Sequence, residues 1–261
     1  MRDIKTQDHT IEILYLALQY LSNAARCYLS KQEEDRHLDL RFSSLDNSFM
    51  IRLLEDSKCV FYFNFERFTL EWVLHNRSKI MRLNGSSHKQ ILKWIRMVTK
   101  ESNFNKTYKY ISKQKDQFPI TDDYVFHLSN IEPLRRMIQM RTIAHNAMQT
   151  MLFSLDVEDV ISVRSFVLSS RVRFAYPGIE NVFIELGYMI PDTVFDEHYY
   201  YLTCCKGNRK VHVTKMQPLR IGYWYDDRIK GAVLPANNFS EKVVITFFQE
   251  ALSAYLNKIN N

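Results

Sequence analysis

The stretch CVFYFNFERFTLEWVLHNRSKIMRLNG, residues 59–85, decides the fold class. Side chains of a strand alternate between two faces, so a half-buried strand reads with period two. Cys59–Phe65 and Phe68–Leu74 carry that alternation, and Lys79–Leu83 follows the polar turn His75–Ser78. The last two runs read as a hairpin. Asn84-Gly85 closes the sheet, and Ser86 or Ser87 caps a helix running to about Glu101. Toward the N-terminus, Phe49–Leu54 and the pattern Leu38, Leu40, Phe42 add two further strands. Before them, residues 9–29 place Ile11, Leu14, Tyr15, Leu18 and Leu21 on one helical face.

The same order recurs downstream. Residues 102–128 are polar and lysine-rich and read as a connection. Pro133 suits the first turn of a helix reaching about Leu155. Strand patterns follow at Val160–Val167, Arg171–Tyr176, Val182–Met189, His198–Cys204, Lys210–Thr214 and Arg220–Tyr225. A last helix occupies about 239–257, with Asn238 and Glu241 spaced as a capping box. Runs of strands between helices, rather than βαβ alternation, predict an α+β fold with antiparallel sheets. The expected architecture is two similar helix, meander, helix halves, about 1–115 and 128–261, with helices over one face of each sheet. No Gly-, Pro- or Ser-rich linker separates them, so a single unit built by an old internal duplication is expected.

Three segments resemble a known family in order and spacing. Phe61–Ile95 has two strands, a basic turn and a Ser-initiated helix; Val160–Phe174 is a strand pair behind a helix. Ile221–Asn237 reads IGYWYDDRIKGAVLPAN ahead of a helix. Together they resemble segments of a bacterial family known as domain of unknown function 5996. The resemblance spans most of the chain. It implies the architecture and carries over no activity and no catalytic residue.

Composition excludes several classes. Hydrophobic residues at 46% and charged residues at 25% are those of a folded chain. Only six glycines occur, all isolated, and neither GxGxxG nor GxxxxGK[ST] can be written, so the common nucleotide loops are absent. No GxSxG and no Cys/His signature marks a nucleophile. Four cysteines without a CxxC pair read as reduced thiols of a cytoplasmic protein. Acidic residues Asp3, Asp8 and Glu12 argue against a signal peptide, and no apolar run suggests a membrane span. No cofactor is implied.

The strongest local signal is electrostatic. Lys89, Lys93, Arg96, Lys100, Lys106, Lys109, Lys113 and Lys115 face only two acids, Glu101 and Asp116. The first four recur at intervals of four, three and four, which places them on one helical face. Such a row can follow the phosphates of a nucleic acid, with Trp94 and Tyr108 interleaved to stack on bases. The same pattern also fits a solvated face and a basic linker. Catalytic candidates are His145, His198 and Asp226. A histidine offers a titratable group near neutrality, yet His145 flanks a stripe of Met137, Met140, Ala144, Met148 and Met151 that suits a core. Asp196 and His198 share a strand face, and a third ligand from His212 or Asp226 would be needed for metal, so none is predicted. Asp226-Asp227 reads as a hairpin turn. The leading expectation is a non-catalytic intracellular binding or interaction protein whose partner the sequence does not identify, a protein or a nucleic acid both being possible. Nucleic-acid binding, and an enzyme or ligand carrier with a pocket between sheet and helices, are the alternatives.

Overall fold

The computed structural model describes residues 4–53, 59–75, 77–111, 118–165, 167–237 and 239–260. Contacts group them into two compact units. The first runs to Arg136 and takes in Arg164 and Ser165; the second holds 137–163 and the chain from Val167 onward.

In the first unit, α1 (Ile4–Tyr28) and a short 3-10 segment (Glu33–Leu38) precede β1 (Arg41–Ser43), β2 (Ser48–Arg52), β3 (Cys59–Asn64), β4 (Thr69–Leu74) and β5 (Arg77–Arg82), then α2 (His88–Glu101). The strands form one antiparallel sheet in sequence order, β1-β2-β3-β4-β5. Residues directly opposite in such a ladder share a face. The pairs Phe49↔Phe63, Phe63↔Leu70 and Phe61↔Trp72 therefore put five large side chains on one side, all fully buried. α1 lies against β2 and β3 and buries Leu14, Leu18, Tyr20 and Leu21. α2 buries Ile91, Ile95 and Val98. It starts at the expected cap: Ser87 Oγ accepts from Gln90 N, and Ser87 N donates to Gln90 Oε1 at 2.7 Å.

Among the described residues after α2, Tyr108–Ile111 form a packed strap against α1 rather than a solvated linker. Tyr108 Oη donates to the Tyr20 carbonyl at 3.1 Å, Lys109 N to Cys27 Sγ, and Ile111 N to Asn23 Oδ1. Farther on, Phe126 N donates to the Ser86 carbonyl, and its ring sits 6.1 Å from that of Tyr20. These contacts carry the first unit beyond 115, past the expected border between halves.

The second unit contains most of α3 (Glu132–Ser154) and of β6 (Ser162–Arg164), then β7 (Ser169–Ala175), β8 (Val182–Met189), β9 (Tyr199–Lys206), β10 (Arg209–Lys210), β11 (Tyr223–Tyr225), β12 (Gly231–Pro235) and α4 (Glu241–Asn260). The sheet order is β11-β12-β9-β8-β7-β6, with β10 also beside β9. Tyr188↔Tyr200, Leu186↔Leu202 and Ile184↔Cys204 line the face under the helices. α3 lies over it, since Tyr188 Oη and Tyr200 Oη donate to the carbonyls of Met137 and Met140, each at 3.4 Å. α4 packs on β9 and buries Phe247, Phe248 and Ala251. The opposite face carries a smaller cluster around Tyr199, Tyr201 and Val233. Tyr201 lies across Gly187, where a Cβ would stand 2.3 Å from its ring, so only glycine leaves that space.

The α+β class and the antiparallel halves are as the sequence implies. Several strands are shorter than their patterns: Leu38 ends the 3-10 segment, so the first strand is only Arg41–Ser43. Of the expected run Lys210–Thr214 only Lys210 lies in a strand, Arg209–Lys210; Val211 N still donates to the Cys204 carbonyl, but Val213 N donates to the Asp226 carboxylate instead of a neighbouring strand. Gly222, at φ +80°, breaks the run before Tyr223. The pattern at Val160–Val167 yields only Ser162–Arg164. Asn238, the expected cap of α4, lies outside the described residues. All four cysteines are free, and burial pushes the Cys59 and Cys204 thiols up to about 12. No helix among the described residues is long and apolar enough to cross a membrane.

Candidate functional site

Two arrangements stand out, one in each unit. The first is a basic ledge built by β5 and α2. β5 closes one end of its sheet, so among the described residues its backbone meets a neighbouring strand on one side only. Arg77, Ser78, Lys79, Ile80 and Arg82 are all exposed, Ile80 at 50%. The turn after β5 sends α2 back alongside it, and the Lys79 ammonium pairs with the Glu101 carboxylate at the helix end. Because α2 buries His88, Ile91, Leu92, Ile95 and Val98, its opposite side must carry Lys89, Lys93, Arg96 and Lys100. All four are exposed. Residues 77–101 thus hold seven cations against one carboxylate. His88 adds no charge at neutrality. Burial lowers its pKa, Asp122 opposing and Arg96 adding to the effect, and its Nδ1 sits 2.7 Å from Tyr20 Oη.

The remaining residues expected in a nucleic-acid surface are placed differently. Lys106 and Lys109 are exposed, but on the strap against α1 rather than on the α2 face. Lys113 and Lys115 lie outside the described residues. Trp94 is half-buried with its ring 6.3 Å from Phe61. Tyr108 is fully buried, which removes it from any stacking surface. Phe104 packs 4.5 Å from Tyr28 and 5.5 Å from Trp72. The aromatics interleaved with the charges in sequence are therefore turned inward in space.

The second arrangement is a buried polar centre under α3. Arg141 is completely enclosed, with Nη1 donating to Ser170 Oγ and Nη2 to the Leu168 carbonyl at 2.7 Å. Its guanidinium lies 5.0 Å from the centre of the Tyr188 ring, a cation–π contact strengthened by desolvation. Tyr188 Oη is 2.8 Å from His198 Nδ1, and the two rings stack within 6° of parallel. Burial, with a smaller push from Arg141, lowers the His198 pKa to about 4. Burial also raises the Tyr188 phenol, against the opposing effect of Arg141. His145 is buried one helical turn from Arg141 and shifted down by burial and then by Arg141. A proton-transfer catalyst needs a pKa near the working pH. Here the histidines are held neutral and the phenol protonated, so the centre suits hydrogen bonding and packing at pH 7.

Asp226 has partners of its own. It accepts from Val213 N at 3.3 Å and lies 3.8 Å from His212 Nδ1. Among the described residues no group of three or more His, Cys, Asp or Glu is placed to hold a metal ion. The second unit also has an open groove between the loop 214–220 and the polar side of α4, lined by Thr246, Gln249, Ser253 and Asn257. Lys258 Nζ ties that loop down through the His212 and Thr214 carbonyls. Sequence reading pointed to His145 and His198 but not to Arg141, which joins them; its only signal was a cation four residues from His145 within an apolar stripe. No family model, curated protein or solved structure matches this chain.

Proposed function

We propose that the chain is a non-catalytic binding protein that engages an anionic macromolecular partner through the β5–α2 ledge. The observation that carries the reading is the row Lys89, Lys93, Arg96 and Lys100, all exposed, on the helix that follows an edge strand bearing three more cations. The row spans about 16 Å at the helical rise of about 1.5 Å per residue, a length that meets several charges of an extended polyanion. Ser87 and the apolar face of α2 fix the helix, so the cations project from a rigid platform and only their side chains need ordering on binding.

Changing all four residues to Gln preserves helix propensity and leaves stability nearly unchanged. Binding to duplex DNA or to polyglutamate should drop by orders of magnitude. For the duplex, the log–log salt slope should shrink by about three to four. The comparison is Lys31, Lys206, Arg209 and Lys242 changed to Gln, four exposed cations elsewhere. Equal losses in the two quadruple variants would mean that net charge alone attracts these polymers, and the ledge reading would fail.

A further inference from the structure

We infer that the partner of the ledge is an acidic, extended peptide segment that adds to the β5 edge as a sixth strand. The inference rests on the reading of the ledge as a binding surface and names what occupies it. A terminal strand offers a row of backbone donors and acceptors, which another chain can pair by strand addition. β5 is six residues long and pairs only with β4 among the described residues, and nothing covers the side chains from Arg77 to Ile80. At about 3.3 Å per residue it accommodates about 20 Å of peptide.

Register decides which side chains the added strand meets. Trp72↔Lys79 and Leu74↔Arg77 place Arg77 and Lys79 on the face covered by α2, and the Lys79–Glu101 pair confirms that direction. Glu71↔Ile80 places Ile80 on the other face. A peptide alternating acidic and β-branched residues therefore sets its carboxylates against Arg77 and Lys79, in the field of the α2 cations, and its apolar residues beside Ile80. A second copy of β5 would bring like charges together at this edge, which disfavours self-pairing. A nucleic acid would find the neighbouring aromatics Tyr108 and Phe104 engaged in the interior.

The test uses the full chain and two synthetic ten-residue peptides of alternating Glu and Val, one with a normal backbone and one N-methylated at every residue. Their charges match, but the second cannot donate to a strand edge. The normal peptide should bind about tenfold or more tighter, the worth of two or three backbone hydrogen bonds. It should also slow amide exchange at alternate residues of Arg77–Arg82, and the ledge quadruple Gln variant should weaken it. Equal binding of both peptides, with the β5 amides unprotected, overturns strand addition and leaves the ledge as a charge surface. Tighter binding of a duplex DNA than of the normal peptide overturns the peptide assignment in favour of nucleic acid. Concentration-dependent protection of β5 without peptide assigns the edge to a second copy and overturns the inference. Failure of both peptides and the duplex to bind at low salt overturns the ledge reading with it.

Discussion

Replacing Met148 with Asp is expected to destabilise the fold by about 3 kcal/mol or more, the cost of an unpaired carboxylate in an apolar interior. Met148 has no exposed surface, and Ala144, Ala147 and Met151 on the same helix are equally enclosed. Small residues at 144 and 147 let the helix approach the sheet closely, so a carboxylate at 148 has no room to turn toward water. For a chain of this size the loss corresponds to a fall of roughly 6–12 °C in the thermal midpoint. Gln149, the next residue, is exposed, and Gln149→Asp should stay within about 0.5 kcal/mol of the parent. A thermal midpoint unmoved by Met148→Asp would place the methionine stripe on an open surface and contradict the packing of α3 described above.

The second large effect is acid sensitivity. His198 has a folded-state pKa of about 4 against an ordinary value of 6.5, because burial and then Arg141 penalise the imidazolium. The unfolded chain therefore binds the extra proton between those values. The stability that neutral His198 contributes is complete above pH 6.5 and is lost as pH falls toward and through 4. From this group alone the protein should be about 2 kcal/mol less stable at pH 5 than at pH 7.5. His145 and His88 shift in the same direction and add to the loss. Urea unfolding at the two pH values checks it, with His198→Asn as the comparison, since its amide can still meet Tyr188. The variant should lose less stability than the parent on acidification; parallel profiles would show that His198 titrates as an exposed group.

The parts of this structure legible in the sequence are those that depend on neighbours in the chain. The hairpin of β4 and β5, the cap at Ser87 and the buried stripe of α3 each follow from spacing over a few residues. The parts that were not legible depend on distant pairing. Tyr108 sits in a lysine-rich run, yet its burial is set by α1, 88 residues earlier in the chain at Tyr20. Arg141 looks like a surface residue until Ser170 and Leu168 supply its hydrogen bonds and Tyr188 its ring. The pattern Lys79–Leu83 predicted a strand but not that it would end a sheet, because edge position is a property of the whole topology. The basic stripe was visible from its four, three, four spacing; that β5 adds Arg77 and Lys79 on the face that α2 covers was not.

The β5–α2 ledge is most directly tested by mapping which lysines a bound polyanion shields. Brief acetylation of the full chain, with and without saturating polyglutamate, followed by mass spectrometry, reports each lysine separately. Lys79, Lys89, Lys93 and Lys100 should become protected together, while Lys31, Lys206 and Lys242, which are also exposed, keep their reactivity. Protection spread evenly over all exposed lysines, or concentrated at Lys206 and Lys210, would contradict it.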